Sequence, residues 1–124
     1  MNSISTPQTR KWIRVIEANQ IPAREGRSVQ FGAVSVAIFN TGETFVAVDN
    51  RCPHKGGPLA DGIIGGTLNG GSTVTCPLHN WRVSLETGEV TKPCDSGVPA
   101  IRTYPVKVED GIVLLSLESV QVAA

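Results

Sequence analysis

The sequence is poor in metal-binding residues and has no long apolar run. Of 124 residues, only two are histidine and three are cysteine, and aromatic residues make up 5%. Eleven basic and eleven acidic side chains balance, so charge gives no reason to expect binding to nucleic acid or to an anionic membrane surface. No segment approaches membrane-spanning length, and the first ten residues lack the apolar centre of a signal peptide. We expect a single-domain, cytoplasmic protein.

The scarce histidines and cysteines nevertheless occur together in two short segments. Cys52 and His54 lie in the first, and Cys76 and His79 lie in the second, with a glycine-rich stretch between them. A proline follows each cysteine, which fixes φ and stiffens the backbone there. Thiolate and imidazole ligands are typical of zinc or iron–sulfur centres rather than of calcium or magnesium sites. The pattern predicts two loops that converge on one metal centre.

Two kinds of centre fit these four ligands. One is a tetrahedral Cys₂His₂ zinc site. The other is a [2Fe–2S] cluster with both cysteines on one iron and both histidines on the other. Zinc fingers usually take two cysteines from one loop and two histidines from another, whereas here each loop supplies one of each, which favours the cluster. The third cysteine, Cys94, has no partner for a disulfide framework and is expected to be a buried thiol.

The two segments resemble the two boxes of a Rieske domain. Cys-Pro-His-Lys-Gly-Gly-Pro-Leu (52–59) and Cys-Pro-Leu-His-Asn-Trp (76–81) are most similar to those of the small subunit of assimilatory NAD(P)H-dependent nitrite reductase. The segments 46–48, 59–62, 85–89 and 104–111 extend this resemblance. It implies a subunit that transfers electrons or supports assembly and has no small-molecule substrate of its own. Its partner would be a large subunit that carries FAD, sirohaem and a [4Fe–4S] cluster and reduces nitrite to ammonium.

Two other functions are considered beside this one. A free Rieske ferredoxin that serves a ring-hydroxylating oxygenase has similar boxes. A non-redox module with a structural Cys₂His₂ zinc site is the second alternative. A large sirohaem flavoprotein as partner would indicate the nitrite reductase, electron transfer to a terminal oxygenase would indicate the ferredoxin, and stoichiometric zinc would indicate the module.

The resemblance also implies roles for individual residues. Respiratory Rieske proteins carry further cysteines where this chain has Gly57 and Leu78, and a serine where it has Trp81. Because hydrogen-bond donors stabilise a reduced cluster, we predict a midpoint potential in the lower part of the Rieske range. Asn80 replaces a glycine that is common after the second histidine, and this fits the nitrite reductase branch. The residues expected around the ligands are Lys55, Gly56, Gly57, Leu78, Asn80 and Trp81.

Hydrophobic alternation and turn residues predict an all-β fold. We expect stacked antiparallel sheets with a two-loop cluster-binding subdomain in residues 11–118, and tails at 1–10 and 119–124. Hairpin turns are predicted at 40–43, 87–88 and 109–111, a short helical turn at 57–61, and a surface loop containing Gly65, Gly66, Gly70 and Gly71. The predicted strands are 12–17, 27–31, 34–39, 44–48, 73–75, 81–85, 89–91, 101–108 and 112–117.

Overall fold

The computed structural model describes residues 11–53, 56–66, 71–78, 80–93 and 97–117, and these form an almost entirely β structure. Two short 3₁₀ turns, Ala18–Gln20 and Leu59–Asp61, interrupt the strands. The strands are β1 (Trp12–Glu17), β2 (Glu25–Phe31), β3 (Val34–Asn40), β4 (Phe45–Asp49), β5 (Ile63–Gly66), β6 (Ser72–Thr75), β7 (Arg82–Ser84), β8 (Val90–Lys92), β9 (Thr103–Tyr104), β10 (Val106–Glu109) and β11 (Ile112–Ser116).

The strands form three antiparallel sheets. The first has the order β1-β11-β10, the second β2-β3-β4-β9 and the third β5-β6-β7-β8. In the first sheet, β1 and β11 pair with Trp12 opposite Ser116 and Glu17 opposite Ile112. The predicted all-β architecture of stacked antiparallel sheets is therefore confirmed.

The second sheet lies between the other two. On β3, Val36 and Ile38 belong to one hydrophobic core with residues of the first sheet, whereas Ala37 and Phe39 belong to another core with residues of the third sheet. Successive side chains of a strand point to opposite faces, so four consecutive buried residues require that both faces be covered. Each fully buried apolar side chain contributes roughly 1.5–3 kcal/mol. Both cores therefore hold this central sheet in place.

Most of the predicted elements are present, several with strand ends shifted by one or two residues, and one prediction needs correction. Asp110 and Gly111 both have positive φ, 54° and 77°, as expected for the Asp-Gly hairpin turn. The predicted strand 101–108 is divided at Pro105 into β9 and β10. The surface-loop prediction is wrong for Gly65 and Gly66, because both lie in β5 and pair with β6. Gly70 lies outside the described residues, while the short helical turn is present at Leu59–Asp61.

The described helical segments do not reach the dimensions of a membrane span. Neither 3₁₀ turn has the length and apolar character needed to cross a bilayer.

Candidate metal centre

Two strands from different sheets deliver the two cysteines to the same core. β4 of the central sheet ends at Asp49, three residues before Cys52, and β6 of the third sheet ends at Thr75, directly before Cys76. Cys52 and Cys76 are thiols with 2% and 0% of their surface exposed. Both belong to the hydrophobic core between these two sheets. Strand ends therefore bring both predicted thiol ligands to one apolar, water-excluding region.

The two loops that begin at these cysteines have the same backbone hydrogen bonds. In the first, the Cys52 N–H donates to the Gly57 carbonyl at 2.7 Å, and the Gly56 N–H donates to the Cys52 carbonyl at 2.7 Å. In the second, the Cys76 N–H donates to the carbonyl five residues later at 2.8 Å, and the N–H four residues later donates to the Cys76 carbonyl at 3.1 Å. Each cysteine is thus held at the start of a tight loop closed by its own backbone.

The fourth residue after each cysteine has a left-handed backbone. Gly56 has φ 78° and Asn80 has φ 59°. Glycine enters this region without steric cost, and asparagine is among the few other residues that enter it readily. This conformation explains why asparagine is tolerated at position 80, the counterpart of Gly56 in the second loop.

The first loop makes close contact with the second because Gly57 has no side chain. A Cβ at Gly57 would lie 3.0 Å from Cys76 Sγ and 3.2 Å from Leu78 Cδ1. Gly57 is itself buried, whereas 66% of the Leu78 side chain is exposed. The loops therefore approach each other at the second cysteine, and the positions that carry cysteines in respiratory Rieske proteins lie next to each other here.

The remaining neighbours are placed as follows. Trp81 is half-buried and packs against the core that contains both cysteines. Gly56 and Asn80 are exposed. His54, Lys55, His79 and Cys94 lie outside the described residues.

The structure adds residues before the first box that the sequence did not single out. The Tyr104 hydroxyl donates a hydrogen bond to the Asp49 carboxylate at 2.5 Å, across the pairing of β4 with β9. Burial, together with this bond and the negative charge of Asp49, raises the pKa of Tyr104 well above its usual range. Asn50 bonds to Ser35 and Ala60. These partners are 10 to 55 residues away along the chain, so no local pattern indicates them.

The described residues fit a cluster that takes thiolate ligands. Two buried thiols come from two loops closed by the same pattern of backbone hydrogen bonds, and the absent side chain of Gly57 leaves room against one sulfur. Apolar residues surround both sulfurs, and such surroundings control solvent access and redox potential at metal sites.

Sequence comparison identifies the domain and two groups of relatives. Residues 11–116 match the Rieske-like [2Fe–2S] domain family. The ferredoxin subunit of 3-phenylpropionate/cinnamic acid dioxygenase from Photorhabdus laumondii is 31% identical over 107 residues, which cover 86% of this chain and 95% of that protein. The nitrite reductase [NAD(P)H] large subunit of Klebsiella oxytoca is 33% identical over 104 residues. That match covers 83% of this chain but spans only 10% of the relative.

Solved structures include members of the same two groups. A Mycobacterium tuberculosis protein assigned as the small subunit of an NADH-dependent nitrite reductase superposes with a TM-score of 0.77 at 22% identity, covering 94% of this chain and 100% of that one. The ferredoxin of Sphingomonas yanoikuyae B1 superposes with a TM-score of 0.71 at 28% identity, covering 86% and 98%. The first likeness, at this low identity, establishes the fold alone. We conclude that the chain belongs to the Rieske-like [2Fe–2S] domain family, with a Rieske-type cluster as its cofactor and electron transfer to a protein partner as its function.

Proposed function

We propose that Cys52 and Cys76 hold one iron of the cluster and that His54 and His79 hold the other. The observation that supports the cysteine pair is their joint burial in one core, in loops with the same closing hydrogen bonds. The histidines follow from their positions in the two boxes. When bound, the cluster accepts and returns one electron. The domain that performs this function spans residues 11–118, with residues 1–10 and 119–124 outside it.

The polypeptide contributes rigidity and exclusion of water. Cys52 and Cys76 are anchored by strand ends and by hydrogen bonds of 2.7–3.1 Å within their loops. The buried side chains of Leu59, Val74 and Val83 belong to the same core as both thiols. Since thiolate ligands persist in a reducing compartment, we also propose a cytoplasmic location.

The partner that we propose is the large subunit of an assimilatory NAD(P)H-dependent nitrite reductase, which carries FAD, sirohaem and a [4Fe–4S] cluster. The observation that carries this proposal is the second box, Cys-Pro-Leu-His-Asn-Trp, whose Asn80 occupies a glycine position with φ 59°. The 33% identity to a segment of the Klebsiella oxytoca nitrite reductase large subunit supports it. In this role the chain supports the reduction of nitrite to ammonium without binding nitrite itself.

A second candidate function is that of a ferredoxin for a ring-hydroxylating oxygenase. The extent of the sequence match favours this function, because the match covers 95% of the Photorhabdus laumondii ferredoxin subunit. Both candidates use the same cluster, so they differ in the protein that receives the electron.

The experiment that separates these candidates measures electron transfer to defined partners. The chain is purified anaerobically, reduced with dithionite and examined by low-temperature EPR. A rhombic signal with an average g well below the free-electron value is expected for mixed cysteine and histidine ligation. The reduced protein is then mixed with a sirohaem-containing nitrite reductase large subunit or with a terminal oxygenase.

The controls are two cysteine variants. Cys76→Ser should lose the signal, whereas Cys94→Ser should keep it, because Cys94 lies outside both boxes. A stable, electron-accepting complex with the sirohaem protein supports the nitrite reductase role, and transfer only to the oxygenase supports the ferredoxin role. A colourless protein with one equivalent of zinc would overturn both.

A further inference from the structure

The chain between β4 and the first cysteine is fixed by an asparagine side chain that bonds in two directions. The Asn50 N–H donates to the Ser35 carbonyl at 2.9 Å, and Asn50 Nδ2 donates to Ser35 Oγ at 3.2 Å. Asn50 Oδ1 accepts a hydrogen bond from the Ala60 N–H at 2.7 Å. One half-buried side chain therefore joins the central sheet to the 3₁₀ turn at Leu59–Asp61.

The segment enclosed by this bond is the first ligand loop. Asn50 and Ala60 stand on either side of residues 51–59, which contain Cys52 and the first histidine. Within it, the hydrogen bonds between Cys52 and Gly56 or Gly57 fix the inner turn, and the Asn50–Ala60 bond fixes the outer ends. We propose that Asn50 is a positioning residue for the metal centre, because it closes the first ligand loop at its base.

The chemistry of the asparagine amide suits this position. An amide supplies both a donor and an acceptor without charge, so it can satisfy Ser35 Oγ and the Ala60 N–H together. Aspartate could accept from the Ala60 N–H but could not donate through the same side chain when ionised. Alanine would leave the Ala60 N–H, whose residue is 8% exposed, without this acceptor. The inference rests on the proposed ligation by Cys52 and His54.

The test compares Asn50→Ala and Asn50→Asp with a control variant, Tyr104→Phe, which removes a hydrogen bond to the residue beside Asn50. Tyr104→Phe removes the hydrogen bond to Asp49, the residue directly before Asn50, without removing the bonds from Asn50 to Ser35 and Ala60. Three quantities are measured on the cluster-loaded proteins. They are the EPR g values, the rate at which a chelator removes iron, and the hydrogen–deuterium exchange rate of the Ala60 amide.

We expect Asn50→Ala to shift the g values, to release iron about tenfold faster, and to accelerate exchange at Ala60. Asn50→Asp should keep slow exchange at Ala60 and release iron at a rate nearer to wild type. Tyr104→Phe should lower the melting temperature while leaving g values and iron release unchanged. Equal acceleration in Tyr104→Phe would overturn the inference, because it would reveal a general effect of stability.

Two further outcomes keep this inference separate from the proposed ligation. A wild-type protein without the Rieske signal would defeat the ligation, whereas a normal wild-type signal with an unaffected Asn50→Ala variant would defeat only the positioning role. If Asn50→Ala does not fold, the hydrogen–deuterium exchange rate of the Ala60 amide in the wild-type protein still tests the inference. Fast exchange at Ala60, comparable to that of exposed loop amides, would overturn the Asn50–Ala60 bond on which the inference depends.

Discussion

Replacing either of two neighbouring glycines in the first ligand loop with alanine should destabilise the domain, but for a different physical reason at each position. At Gly57 a Cβ would lie 3.0 Å from Cys76 Sγ and 3.2 Å from Leu78 Cδ1, but the backbone φ is not positive. At Gly56 the φ is 78°, and the nearest atom to a Cβ, Arg51 Nη2, lies 3.7 Å away. Gly57→Ala therefore tests the contact between the loops, whereas Gly56→Ala tests backbone strain.

The two substitutions should have similar effects on stability. Ordinary contact begins at 3.4 Å, so in Gly57→Ala the Cys76 sulfur or the first loop must move by about 0.4 Å. Overpacking of this kind costs about 1–3 kcal/mol, and Cys76 has no exposed surface through which to relax. Gly56→Ala places a Cβ in the left-handed region, which costs roughly 1–2 kcal/mol. Urea unfolding alone will not separate the two variants.

Iron content and the EPR spectrum should distinguish the two variants. Gly57→Ala displaces a proposed ligand atom, so we expect a lower iron content and shifted EPR g values. Gly56→Ala should keep the wild-type spectrum, and Gly56→Asn should recover part of the lost stability because Asn80 already has φ 59° at the equivalent position of the second loop. A Gly57→Ala protein with full iron content and a wild-type spectrum would refute the close approach of the two loops.

Three further predictions concern the scaffold and the potential. A Cβ at Gly88 (φ 81°) would clash with the Ile101 carbonyl oxygen, and the Ile101 N–H donates to Gly88 at 2.9 Å. Gly88→Ala should therefore lose about 2–3 kcal/mol in urea unfolding, from strain and one hydrogen bond. Gly42→Ala, with φ 97° and open space, should lose only about 1–2 kcal/mol, and equal losses would contradict the clash. Tyr104 is the only tyrosine, and its pKa is raised by burial and by Asp49. Above about pH 10 the unfolded chain loses the phenolic proton first, so the stability of the wild type should fall by up to about 1.4 kcal/mol per pH unit. This extra fall should be absent in Tyr104→Phe, and an absorbance titration of the folded protein that gives an ordinary tyrosine pKa would disprove its cause. Finally, a redox titration should give a midpoint in the lower part of the Rieske range, and a strongly positive midpoint would refute the argument from missing hydrogen-bond donors.

Local sequence patterns predicted the parts of this fold that depend on local forces. The Asp110-Gly111 turn follows from the few residues that accept positive φ, and the strand that ends before Cys52 follows from its apolar, β-branched residues. The burial of Cys52 and Cys76 in one core agrees with the prediction that both loops converge.

Local sequence patterns could not predict contacts between residues that are distant along the chain. The density of glycine predicts a surface loop at Gly65 and Gly66, but pairing with β6 places both residues in β5. The role of Asn50 depends on Ser35 and Ala60, which are 15 and 10 residues away. The matching backbone hydrogen bonds of the two ligand loops could not be predicted from the sequence either, because the spacing from cysteine to histidine differs between the boxes.

The pairing of β1 with β11 has a consequence for how this domain can be built into larger proteins. The chain enters the first sheet at Trp12 and leaves it at Ser116, and these two residues are direct partners on adjacent strands. A domain whose entry and exit are neighbours can be fused to, or inserted into, another polypeptide without separating its own sheets. This geometry agrees with a match to a whole ferredoxin subunit in one relative and to a tenth of a much longer polypeptide in another. A short linker that joins the end of β11 at Ser116 to the start of β1 at Trp12, with the chain opened at Gly42, should therefore yield a circular permutant that folds. Gly42 suits the new termini because its φ is 97° and its surroundings are open.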